Sequence, residues 1–246
     1  MSTIKEFEKR LNNELLNHEV IHDNKYCDWF ELGNATIYNV RYLIQQFSVF
    51  SNEFIVAQLR KVLNAPTLDE MRTGKIILMN ELGVPFKGES VQDSPFKFEA
   101  AHFEWLVRLA KPLNIGFDQM GKREFANEHT LHFCNELIRI YGSEDYITGI
   151  GSSYAIENWA ASGFWKQLIR GMEEFSLREK LNLHLGFFTW HDKVEDSHAH
   201  ATQIEMRQFF TMDDFNEDKF INAGNEILDA CKIFWDGLNQ NRLARM

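Results

Sequence analysis

Apolar residues recur along this chain at intervals of three and four, and almost nowhere at intervals of two. In "ATIYNVRYLIQQFSVFSNEFIVAQLRKVLN", Ile37, Val40, Leu43, Ile44 and Phe47 form one stripe and Phe54, Ile55, Leu59 and Val62 a second, which predicts two helices broken near Ser51. Similar spacing predicts helices over 3–17, from Thr67 to near Gly83, from Pro95 to about Leu109, and over 123–141, 153–173, 176–210 with a break around Gly186, and 214–240. The sequence holds no alternating strand pattern with Asn-Gly or Asp-Gly turns, no internal repeat and no low-complexity tract. Only four prolines and no linker-like break in composition interrupt 246 residues. The expectation is one all-α domain over 1–246, a bundle of about seven helices.

Charge narrows the partners. The 26 basic and 36 acidic residues give a net charge of -10 without a long block of one sign, which argues against nucleic acid or an anionic membrane surface as partner. Cys27, Cys134 and Cys231 are odd in number, far apart and without a Cys-x-x-Cys pair, so neither a disulfide framework nor a zinc knuckle is indicated and a reducing cytosol fits best. The opening "MSTIKEFEKRL" is charged and amphipathic, unlike a signal peptide, and no apolar run reaches membrane-spanning length. A soluble cytoplasmic protein is expected.

The chemistry concentrates in "TWHDKVEDSHAHATQIE", residues 189–205, where three histidines and four acids lie between Phe187–Phe188 and Phe209–Phe210. On a helix, His191, Glu195 and His198 fall at i, i+4 and i+7, one stripe on one face. Such a stripe equally suits a solvated polar surface. Phe187, Phe188, Thr202 and Phe209 share that side, however, so the acids and imidazoles project from a face that otherwise favours burial, where charge requires a partner or a metal.

Ligands from other helices would complete a metal site. Glu157, in "SSYAIENWAASGFWKQL", shares its face with Tyr154, Ala161, Phe164 and Leu168. His102 sits with Phe98, Leu106 and Leu109, and Glu81 follows Ile77 by one turn at a helix end before Gly83. Each has an ordinary alternative: a carboxylate paired with arginine, a core histidine bonded to a carbonyl, a terminal glutamate in water. Together with the stripe they make three carboxylates and three imidazoles, an oxygen and nitrogen set suited to a pair of iron or manganese ions.

These residues resemble the haem-oxygenase-like di-iron oxidases and oxygenases, within the superfamily that also holds thiaminase-2 and pyrroloquinoline quinone synthase. "NHEVIHDNKYCDWFELGNATIYNVRYLIQQFSVF" is similar to that superfamily's opening, and length and overall look are similar to the chlamydial death-domain-associated protein and its cyanobacterial-type relatives. "MNELG" followed by "AAHFEWL" resembles the family's third-helix Glu and following His, "YAIENWA" its central Glu, and "HDKVEDSH" its closing His-x-x-x-Asp/Glu-x-x-His. Carried over residue by residue, Glu81, His102, Glu157, His191, Glu195 and His198 match the six metal ligands. Glu195 departs from the family, which often has Asp there, and its extra methylene can change denticity. The resemblance implies two ferrous ions (manganese as the alternative), dioxygen as oxidant, a fatty acid, amino acid or amine as substrate, and allows a homodimer.

Other readings compete. His129, His132 and Glu136 fall at i, i+3 and i+7 beside Phe125, Phe133, Leu137 and Ile140, at the edge of an apolar stripe. Glu19–His22 and Glu195–His198 each match the Glu-x-x-His of ferritin-like bundles, a reading that leaves His191 without a role. His18, His22, His184 and His200 carry no assignment. A cofactor-independent enzyme of thiaminase-2 or quinone-synthase type would need a pocket nucleophile, for which Cys134 is the candidate. A protein-binding relative without catalysis is the remaining class.

Overall fold

The computed structural model describes residues 2–84 and 98–245, with the side chains of residues 98 and 195–197 outside that description. Pro95, expected to open a helix, and the Glu195 side chain therefore lie outside the described residues. Among the described residues there are eleven α-helices and no strand: α1 Ile4–Arg10, α2 Glu19–His22, α3 Lys25–Glu31, α4 Ile37–Leu63, α5 Leu68–Glu81, α6 His102–Ala110, α7 Glu128–Glu136, α8 Tyr146–Ala160, α9 Phe164–Glu179, α10 Gly186–Phe210 and α11 Glu217–Leu243. None is long and apolar enough to cross a membrane.

The differences from the expected seven have local causes. The segment after residue 17, whose helical periodicity fails, still forms α2 and α3, because the side chains of His18 and Asn24 accept hydrogen bonds from Val20 N and Cys27 N at their starts. The break expected near Ser51 is absent. Thr36 and Asn39 form a reciprocal cap, and the 27-residue α4 then runs unbroken. The nearby Ser48 hydroxyl donates back to Gln45 O at 2.7 Å, so a polar residue is accommodated without leaving the helix. The single helix expected over 153–173 is instead divided at Gly163, whose φ of +96° lies in the left-handed region that favours glycine. The break expected at Gly186 falls earlier, after the left-handed Lys180, and Gly186 begins α10.

α8 is the central helix. Nearly every residue from Gly149 to Ala160 is buried, so it is apolar on all sides, as a helix enclosed by others must be. It packs most closely on α11, where Tyr154 meets Phe220 at 5.6 Å between ring centroids, and next on α10. Between α4, α8 and α10 lies a buried ion pair: Lys61 Nζ donates to Glu205 Oε2 at 2.9 Å and to Ser153 Oγ at 2.8 Å, while the Tyr146 hydroxyl donates to Glu205 Oε1 at 2.8 Å. A paired and hydrogen-bonded charge of this kind fixes relative helix positions, since an isolated one would be costly to bury.

Candidate metal centre

Five of the six expected ligands are described: Glu81, Glu157, His191 and His198 line one cavity, and His102 reaches Glu81 from outside that lining. Glu81 ends α5, His102 begins α6, Glu157 sits on α8, and His191 and His198 lie seven residues apart on α10. His102 Nδ1 approaches Glu81 Oε2 to 2.9 Å, and His191 Nε2 lies 3.8 Å from Glu81 Oε1. His198 Nδ1 stands 3.6 Å from Glu157 Oε2. One donor atom from each of Glu81, His102 and His191 lies within 4.8 Å of the others, and among the described residues this is the one such group.

Those separations suit a shared ion. Metal–ligand bonds of about 2.1 Å at right or wider angles place neighbouring donor atoms roughly 3–4 Å apart. His102 Nδ1, 1% exposed as a residue, is within 2.9 Å of a carboxylate oxygen yet outside hydrogen-bond geometry, so the two lone pairs converge on common space more than on each other. Glu157 Oε1 is likewise buried without a hydrogen-bond partner. Buried donor atoms without a hydrogen-bond partner among the described residues are what a metal would satisfy. His191 Nδ1 meets Phe187 O at 2.7 Å; with the ring proton donated there, Nε2 is presented toward Glu81.

Electrostatics follow from burial. Burial is the largest influence on Glu81 and pushes its carboxyl up, but the electrostatic pull of the neighbouring His102 and then His191 imidazoles outweighs it and holds the group below the ordinary carboxylate range. Around the ligands the wall is aromatic: Phe47, Phe50, Phe54, Trp159, Trp165 and Phe187 join Ser51, Ile77, Glu81, Glu157, His191 and His198 in lining a cavity of about 50 Å³, counted as space open to the centre of a water-sized sphere. That is room for roughly three to five waters or one slender group. Among the described residues no lysine or arginine lines it.

The competing residues have other work. Glu136 pairs with Arg139, His129 faces Glu128, and His132 is exposed. Glu19 pairs with Lys232, and His22 Nε2 meets Leu16 O at 3.0 Å. Cys134 is buried and does not line the cavity, and burial pushes its thiol up to about 12, the reverse of what a thiolate nucleophile requires. Sequence reasoning missed the rings that hold the histidines: Trp165 stacked on His191 and Trp105 on His102, each at 4.9 Å. Trp105, three residues after His102, could have been read from helical spacing; Trp165 comes from another helix and carried no local signal.

No family model matches the sequence, and no curated protein matches it either. Solved structures do. A domain of unknown function with a haem oxygenase-like fold from Shewanella denitrificans superposes with a TM-score of 0.68 at 11% identity, over 99% of this chain and 94% of that one. A CADD-like protein of unknown function from Nostoc punctiforme gives 0.64 at 15% identity, over 98% and 94%. A TenA homologue from Pseudomonas syringae pv. tomato gives 0.59 at 11% identity, over 96% and 92%. With the whole chain matched in each case at identities too low to carry function, the conclusion concerns architecture: this chain has the haem oxygenase-like fold.

Proposed function

We propose that this chain is a metal-dependent oxidoreductase that holds two iron ions and uses dioxygen to oxidise a small organic substrate. The observation that carries the reading is the convergence of Glu81, His102 and His191, with Glu157 and His198 lining the same aromatic cavity as Glu81 and His191. Glu81, His102 and His191 would hold one ion; Glu157 and His198, joined by Glu195, would hold the other. Two ferrous ions supply the electrons that dioxygen chemistry needs.

The chain's own residues do the rest. The Phe187 carbonyl fixes the His191 ring, and Trp165 and Phe187 hold that ring at 4.9 and 4.3 Å. The aromatic wall keeps bulk water from the reacting groups, which strengthens every charge interaction inside. With no lysine or arginine among its described lining residues, the cavity favours the apolar part of a fatty acid, amino acid or amine, and any acidic group on it would have to reach the metal or the mouth.

Anaerobic titration with ferrous iron tests the proposal. Near two iron per chain, falling in a His191→Ala variant, supports it; a folded protein that binds no iron would sink it.

A further inference from the structure

All six tryptophans of the chain lie in ring series that lead away from the cavity. One branch is short: His102 stacks on Trp105, and Trp105 meets the exposed Trp190 at 5.8 Å. The other crosses the molecule. Trp159 lines the cavity two residues after Glu157 and meets Trp235 of α11 at 6.3 Å. Trp235 meets Tyr26 of α3 at 5.8 Å, and Tyr26 meets the half-buried Trp29 at 5.5 Å. Trp165, stacked on His191, joins the series through Phe164, which lies 4.4 Å from Trp165 and 4.6 Å from Trp159.

Packing alone does not require indoles here. A buried tryptophan ordinarily finds a partner for its N–H, yet the indole nitrogens of Trp159 and Trp165 have none, and that of Trp235 has only the Cys231 thiol beside it. Phenylalanine would fill such space without orphaning a donor. What indole adds over phenylalanine is ease of one-electron oxidation.

The outer end opens on a built surface feature. Trp29 and Tyr38 line a groove with Asn34, Thr36 and Asn39, and the guanidinium groups of Arg242 and Arg245 lie over the Trp29 and Tyr38 rings at 4.5 and 3.9 Å. On a chain of net charge -10, Arg245 gives this groove a cationic contact for an anion.

We propose that Trp159, Trp235, Tyr26 and Trp29 form a single-electron relay between the metal cavity and the surface groove that Trp29 lines, where an anionic one-electron donor of the ascorbate or dithionite class binds beside Arg245. In each passage the donor loses one electron at Trp29, the series returns to its starting state, and the oxidant in the cavity, dioxygen in the function proposed above, gains one electron. No bond forms or breaks. Burial holds the Tyr26 phenol protonated, so Tyr26 serves as a bridge and does not release its proton. The relay has a purpose only if the cavity carries out redox chemistry, and so rests on the function proposed above; its test uses metal-free protein, so that the two fail separately.

The three native cysteines are buried, so an Asn34→Cys substitution at the exposed groove accepts a ruthenium polypyridyl photo-oxidant selectively. Flash excitation with an electron-accepting quencher then oxidises Trp29, and peptide mass spectrometry after continued illumination locates the damage. Oxidation is expected at Trp235 and Trp159, both buried beyond the reach of solvent oxidants. In Trp235→Phe, product at Trp159 should fall about tenfold, the effect of a modest rise in one barrier, while Trp29 stays oxidised. Tyr26→Phe, which keeps the ring, should cause a smaller loss and guards against a folding defect in the first variant. Damage confined to Trp29 in the parent protein, or equal damage at Trp159 in parent and Trp235→Phe, would overturn the relay.

Discussion

α5 and α8 each deliver a carboxylate to the same cavity, and they do so under opposite conditions. α8 is enclosed by its neighbours along almost its whole length, and Glu157 sits in the middle of it. α5 buries only Gly74 and Glu81, and Glu81 is its last residue. Yet the tighter ligand cluster belongs to α5: 2.9 and 3.8 Å from Glu81 to its two histidines, against 3.6 Å from Glu157 to a His198 side chain that is 19% exposed. Helix packing places Glu157. Glu81 has little apolar backing of its own, so its position is set by the groups it binds, His102 and His191 now and the proposed ion with them.

The largest test of that difference is His191→Ala. It removes the one ligand that reaches Glu81 from the well-packed α10, and affinity for the first ferrous ion should fall by more than about 100-fold, beyond what outer-sphere partners command. His198→Ala should act on the other half only, weakening the second ion about tenfold and leaving the first in place. Calorimetric titration of both variants separates the halves. Equal losses in the two would mean that the site behaves as one unit and that the contrast between α5 and α8 has no consequence for binding.

Hydrogen exchange supplies the companion measurement. On iron loading, amides of residues 70–84 should gain protection while those of residues 150–160, already enclosed, should not change. A rise confined to α8 would reverse the assignment of the softer half.

The same comparison marks what was legible in the sequence. The all-α class followed from spacing, because an amphipathic stripe depends only on residues three and four apart. The candidate ligands stood out for a related reason: an acid or histidine on an apolar face announces a conflict that only a partner resolves. What spacing could not give was where helices stop. Ser51 did not interrupt α4, and Gly163 divided α8 from α9 through its backbone conformation rather than through any change in apolar pattern. The Trp165–His191 stack and the Lys61–Glu205 pair join distant segments, so no local window contained them.

Acid should test the Glu81 half next. The folded-state carboxyl of Glu81 is held below its ordinary value of 4.5 by its histidines. A depressed carboxylate contributes stability that is fully present above its unfolded value and is lost as the pH falls from there toward the folded one. Denaturant melts of the metal-free protein should therefore lose stability below about pH 4.5, and Glu81→Gln should flatten that part of the profile relative to the parent. A variant with the parent's slope would show that Glu81 is not what acid releases.

The smallest expected effect comes from Gly74→Ala, and it examines the placement of Glu81 most directly. Gly74 is where α5 touches α4: Gln58 Nε2 donates to Gly74 O at 2.9 Å, and an added Cβ would lie 2.9 Å from Val62 Cγ2. The methyl group must push the helices apart by a few tenths of an ångström, because Val62 is 2% exposed and stiff about χ1. Alanine also favours the helix over glycine by about 1 kcal/mol, so overpacking and propensity oppose each other and global stability should shift by no more than about 1 kcal/mol. Metal affinity then gives the discriminating answer. If Glu81 is positioned by the α5–α4 contact, displacing that contact should weaken the first ion about tenfold, the cost of a misplaced ligand. If His102, His191 and the ion position it, α5 yields and the affinity stays within about threefold of the parent, which is the outcome expected from a helix whose buried surface amounts to one glycine and the ligand itself.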